Sequence, residues 1–408
     1  MIKRWVYISF INFGVASILG LLMRWAFLGD ISPLSFRHLM HAHSHLAMLG
    51  WLFPMLVITY YHLFIDKTSI QSRYYNNVLL ANQISVGLMT ISFIIFGYNW
   101  ISIAISSTQI IISYIIAVRI WKDTSTLSPN IKALVRWSLF WIVLSTLSIW
   151  LLPLIINTVG RNSDLYYMAV QFFLHFQFNG WFVFAALAIL FHLLLTKGII
   201  INQNIFQWFK ILLITSCFLT YMLAVTWSHP EDVFFLTNSI GVVMQLLALA
   251  LLFKLIGGQS VLSKFKGLSA LLLFIAFLSF AIKILIQAAV VIPYVAVISY
   301  TIRQFVIGFI HLTLIGAISL AILASLSEED IVIFENKIIR YGLISFLVGL
   351  VGSELVLFSQ GLMLWLEKGF MPAYFEIIFG ISTLMSIGLI IIIASQSRWQ
   401  KNKMMFRI

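Results

Sequence analysis

The stretch RHLMHAHSHLAMLGW, residues 37–51, opens an apolar run that continues to Phe64. Wound at about 100° per residue, it sets His38, His41 and His45 within about 60° of one another, with His43 on the other side. The run 38–64 is long enough to cross a hydrocarbon core, which takes about 20 apolar residues. Imidazoles at the mouth of such a span are costly in lipid unless partnered, so the cluster marks a candidate ligand site. Several on one stripe suit a metal or a haem iron. Each one singly also fits an ordinary hydrogen-bonded histidine at a wet helix end.

The same character extends along the chain. Apolar residues make up 62% of it and charged residues 9%, with a mean hydropathy of +1.03. Soluble domains carry about 25% charged residues. The expected fold is all-α: a polytopic transmembrane helix bundle of about 12 spans. They are expected near 5–28, 38–64, 77–97, 99–121, 131–156, 165–196, 206–227, 233–256, 268–291, 296–325, 340–364 and 372–395. The first is too long for a cleavable signal peptide, and no small-residue cleavage site follows it. Residues 1–408 read as a single transmembrane domain without a soluble part. The longest connections are 65–76, 122–130 and 326–339, the last holding the acidic stretch SEEDIVIFENK. No convincing internal repeat stands out.

The net charge of +12 is an orientation signal and not a nucleic-acid one. Of the Lys and Arg residues, nineteen fall in the tails, loops and adjoining span ends on the side of the N-terminus. Arg37, Arg161 and Lys368 fall opposite, and Arg24, Lys283 and Arg303 lie within spans. The positive-inside rule then places both termini in the cytoplasm. The lone Cys217 excludes a disulfide, a two-cysteine copper centre and CxxCH haem attachment, and reads as a packing residue.

With odd spans running outward, Arg24, His41, His45, His175, Lys283, Arg303, Glu354 and Glu376 all sort to the outer half of the bilayer. His311 lies about 12 Å deeper than Arg303 at 1.5 Å per residue. Such sorting points to a shared polar site open to the outside. His62 and His192 read as interface residues, and His229 as part of a solvated turn. Lys283 and Arg303 also read as ion-pair partners for Glu354 or Glu376. His175 and His311 are each the one histidine in the interior of their helix, and both read as ligands.

HAHSHLAMLGW (41–51), HFQFNGW (175–181) and IRQFVIGFIHLTLIGAISLAI (302–322) resemble parts of the haem–copper oxidase superfamily. The nearer likeness is to its nitric oxide reductase branch and to NnrS-type membrane proteins of nitric oxide tolerance. The resemblance implies a low-spin b-type haem held by His41 or His45 on the second helix and by His311 on the tenth. It implies His175 as a ligand of an active-site copper or iron. His41, His45, His175 and His311 are alternatively a copper or other transition-metal site. Arg303 is expected to pair with haem propionates, and Glu354 and Glu376 to relay protons from the outer side.

Two departures are visible. The seventh span lacks the family's adjacent histidine pair, and the tenth has one histidine instead of two. A complete oxygen-reducing centre cannot be assembled in the family's usual way. The expected function is therefore nitric oxide handling or respiratory redox chemistry in a bacterial inner (cytoplasmic) membrane, surrounded by lipid. A redox partner or additional subunit would supply electrons. The competing readings are a transporter with a buried polar site, and a non-catalytic relative that has lost its cofactors.

Overall fold

The computed structural model describes residues 1–334 and 336–405, with side chains to Gln396. Glu335 of the acidic connector lies outside it, as do the side chains of Arg398, Lys401, Lys403 and Arg407 from the charge count. All regular structure among the described residues is helical, and 12 helices are long and apolar enough to cross a membrane. We number these spans 1 (Ile2–Trp25), 2 (Phe36–Phe64), 3 (Ser69–Phe96), 4 (Trp100–Asp123), 5 (Pro129–Thr158) and 6 (Asp164–Thr196). Spans 7 (Gln203–Val225), 8 (Asp232–Ile256), 9 (Gly267–Ala289), 10 (Arg303–Glu328), 11 (Lys337–Trp365) and 12 (Tyr374–Gln396) follow. The chain is thus an integral membrane protein in its architecture.

Two boundaries depart from the hydropathy reading. Span 3 begins at Ser69 because the Thr68 hydroxyl accepts the Gln71 N–H at 3.2 Å, capping a polar first turn that hydropathy cannot see. The tenth span does not run on from 296. A short helix, Pro293–Thr301, ends at Ile302, whose φ of −87° and ψ of 105° are extended. Arg303 therefore stands exposed at the first position of span 10, and not within the span as expected.

The chain packs as two compact units. Unit 1 is Met1–Ile116 with Leu326–Ile408, and unit 2 is Ala117–Ser325. In unit 1 the lipid solvent shows in the patterning of span 3. Ile84, Leu88, Ile91 and Ile95 form an exposed apolar stripe, while Asn82, Val86, Met89 and Phe93 are buried. Trp51 is fully buried and stacks on Phe13, with ring centroids 4.4 Å apart. Spans 11 and 12 touch through glycines, since a Cβ at Gly388 would meet backbone atoms of Gly342 and Phe346. In unit 2, buried Trp141 of span 5 stacks on Phe176 of span 6 at 5.1 Å and 7°.

Spans 2, 6 and 10 are not α-helical throughout. Each widens to a π-helix in its middle: Leu46–Leu52, Phe176–Phe182 and Leu312–Ser319.

Candidate functional site

Each π segment starts on the residue after a histidine: His45, His175 and His311. Five residues beyond each histidine comes a glycine: Gly50, Gly180 and Gly316. A Cβ at any of the three would be too close to a neighbouring side chain. At Gly50 it would lie 2.9 Å from Val86 Cγ1, at Gly180 2.6 Å from Trp141 Cγ, and at Gly316 2.8 Å from Ser279 Oγ. The same device of histidine, widened turn and close helix contact therefore recurs in every fourth span. It is a repeat that the sequence reading missed. Its signal, His-x4-Gly, is short and sits in unrelated apolar sequence. Sustained π-helix is rare and concentrates at functional sites.

In unit 1 the histidines of span 2 divide as the helical phase requires. His38, His41 and His45 face the end of span 3 and the turn after it. His38 Nδ1 lies 3.3 Å from the Ile94 carbonyl. The His41 ring meets Tyr98 edge-on at 4.4 Å, and the His45 ring lies 4.4 Å from Phe93. His45 donates its Nδ1–H to the His41 carbonyl at 2.9 Å, which leaves Nε2 as the nitrogen with the lone pair. His41 Nε2 is buried and has no hydrogen-bond partner. His43 faces the other way, donating Nδ1–H to the Ala16 carbonyl of span 1 at 2.7 Å.

Gly97 closes this face. Its φ is +60° and ψ −144°, a region essentially limited to glycine, and a Cβ there would lie 2.5 Å from Nε2 of the His38 ring. Gly97→Ala is expected to cost about 2 kcal/mol for the backbone alone, more with displacement of His38. A thermal melt of the purified protein in detergent checks this. A transition unchanged within error would contradict the geometry.

The π segment of span 2 is held by amides that the sequence reading passed over. Asn12 of span 1 donates to the Gly50 carbonyl and to Gln83 Oε1, both at 2.8 Å, and accepts from Gln83 Nε2 at 3.2 Å. Asn82 reaches the Leu49 carbonyl at 3.5 Å and accepts from Gln109 at 2.6 Å. Asn12, Asn82 and Gln109 are buried in lipid-crossing helices, and that placement was the available signal.

Unit 1 also holds Arg24 and Glu354. Arg24 donates to the Ile378 carbonyl at 3.2 Å. Both carboxyl oxygens of Glu354 are buried with no hydrogen-bond partner. Glu376 is exposed in the first turn of span 12, so the two glutamates of the expected proton relay occupy different surroundings. His62 pairs with Glu329 at 3.3 Å.

In unit 2, spans 6 and 10 pack against each other through their π segments. Both ring nitrogens of His175 are engaged. Nε2–H is donated to the Cys217 carbonyl at 2.8 Å, and Nδ1 accepts from Asn179 at 3.3 Å. It is a satisfied interior histidine, and ligation would require breaking one of these bonds. His311 is half-buried. Lys283 of span 9 is 1% exposed, and its ammonium lies 5.8 Å from the Phe309 ring centroid. Within unit 2, among the described residues, it forms no ion pair. His229 is exposed and bonded to Glu231 at 2.8 Å, as a solvated turn requires. Cys217 is buried with a free thiol and serves packing.

Among the described residues no three His, Cys, Asp or Glu side chains stand close enough together to hold a metal ion. No family model matches the chain, and no curated protein matches it.

Proposed function

We propose that this chain is a haem-binding integral membrane protein related to the catalytic subunits of haem–copper oxidases. It acts in nitric oxide handling or respiratory redox chemistry, in a bacterial inner membrane with both termini cytoplasmic. The observation that carries the reading is the triple recurrence of a histidine at the mouth of a π segment in spans 2, 6 and 10.

The donor set fits imidazole-held haem. In unit 1, His45 donates Nδ1–H to a backbone carbonyl, as ligating histidines do, and its Nε2 meets the Tyr98 hydroxyl at 3.5 Å, a long hydrogen bond that a metal would displace. His41 adds a buried Nε2 without a partner. Phe93 and Tyr98 supply an aromatic wall. In unit 2 the candidate is His311. A b-type haem held non-covalently by such residues would supply a redox-active iron. The donor set does not fit copper. His175 is already bonded through both nitrogens, and no multi-residue cluster is present among the described residues.

The test is the visible spectrum and metal content of the purified protein. A Soret band is expected, lost on His311→Ala and on His45→Ala and retained on His43→Ala, whose ring faces span 1. Protein without colour or iron overturns the reading.

A transporter is the second reading, favoured by one observation. Spans 2, 6 and 10 carry non-α turns, and span 7 is interrupted near Thr220, as in helices broken around a substrate. Colourless protein that binds a solute would favour it.

A further inference from the structure

Lys283 presents an electrostatic problem that unit 2 does not solve internally. An ammonium buried within a membrane span is expensive unless it is paired. The ring of Phe309 offers a weak cation–π contact at 5.8 Å. The titratable groups that feel Lys283 are the Cys217 thiol and the His175 imidazole, and neither supplies a carboxylate. The acidic residues of unit 2 are Asp123, Asp164, Glu231 and Asp232, all at helix ends. Asp123 is already bonded to Arg119 at 2.8 Å.

A second polar group shares the face. Gln287 lies one turn beyond Lys283, on the same side of span 9. It is also buried, at 6% exposure, and its Oε1 has no hydrogen-bond partner. A half-turn of the carboxamide exchanges its oxygen for its N–H2 at that position, and an ammonium and a carboxamide so turned, one helical turn apart, can together grip one oxyanion, with charge from the first and an N–H from the second.

We infer that Lys283 and Gln287 form an anion site inside unit 2 whose ligand is a carboxylate or a similarly small oxyanion. The carboxylate has two sources, a free small anion or a propionate of bound haem. The site is independent of the haem reading for the first and rests on it for the second.

The probe is formate, titrated into the purified full-length protein at constant ionic strength against chloride. Formate is expected to raise the midpoint of thermal unfolding by about 3 °C near saturation. Lys283→Arg is expected to keep the response and Lys283→Met to abolish it. Methionine fills a similar volume and removes a buried charge, so this variant is expected to fold and to be no less stable without anion. In parallel, haem affinity is measured for the same proteins. If formate has no effect but Lys283→Met lowers haem affinity about tenfold while Lys283→Arg does not, the ligand is the propionate. If Lys283→Met changes neither response, the anion site is overturned. Loss of haem in His311→Ala beside an unchanged Lys283→Met leaves the haem reading standing and removes only this site.

Discussion

Leucine at Gly388 is expected to cost at least about 4 kcal/mol, enough to prevent recovery of folded protein. Overpacking is usually relieved by rotating a side chain, but here the obstacle is backbone. A Cβ at Gly388 runs into the Gly342 carbonyl and the Phe346 N–H, and one at Gly349 runs into the Met385 backbone. A Cβ at Gly342 would lie 3.0 Å from the Gly388 carbonyl. Spans 11 and 12 are therefore in contact at more than one level, and a larger residue at any of them must push whole helices apart. Close approach through small residues is a principal source of helix adhesion in lipid, where the hydrophobic drive between helices is absent. Gly380, also on span 12, has nothing within 4 Å of its would-be Cβ and serves as the control. Gly380→Ala should be neutral or gain up to about 1 kcal/mol from helix propensity. Size-exclusion recovery after a temperature series reads both. A Gly388→Leu protein that survives heating like the parent would show that the two spans do not meet this way.

Asn12→Leu is expected to destabilise unit 1 by about 3 kcal/mol. The amide makes three hydrogen bonds, and its loss strands the Gly50 carbonyl together with both ends of the Gln83 amide. An orphaned buried polar group costs about 1–3 kcal/mol, whereas removing both partners is cheaper. The double variant Asn12→Leu, Gln83→Leu should therefore be less damaged than the sum of the single ones, by about 1 kcal/mol. Thermal melts of the three variants measure this coupling. Simple additivity would mean that the two amides do not act as a pair. Because Gly50 lies in the π segment that starts beside His45, Asn12→Leu should also perturb any Soret band that depends on His45.

Much of the architecture was legible because lipid simplifies the problem. Where no water reaches, backbone groups must be satisfied within the segment, so long apolar runs become helices and their ends follow hydropathy. The division of His38, His41 and His45 from His43 was also legible, since it lies in the α-helical turns before the π segment begins. The widened turns themselves were not, because a fixed 100° step assumes the helix it is meant to test. Arg303 was misplaced because hydropathy does not register one extended residue, Ile302, inside an apolar run. His175 looked like a ligand by depth and isolation, and only geometry revealed that Cys217 and Asn179 occupy both its nitrogens. Lys283 looked pairable because sequence counts carboxylates, but those of its own unit, Asp123, Asp164, Glu231 and Asp232, all stand at helix ends.

The widened turn in span 2 also sets the phase of everything after it. A π turn holds one more residue than an α turn, so deleting a single residue between Leu46 and Leu52 would restore regular winding. Such a deletion would leave residues 53–64 facing nearly as they do, whereas winding all seven residues as α-helix with none removed would turn residues 53–64 about 100° around the axis relative to His41 and His45. Pro54, Thr59 and Tyr60, now buried, would swing away from their present neighbours while the histidines stayed in place. The two halves of the span are thus independently indexed, and the insertion between them is the joint that lets each face its own surroundings.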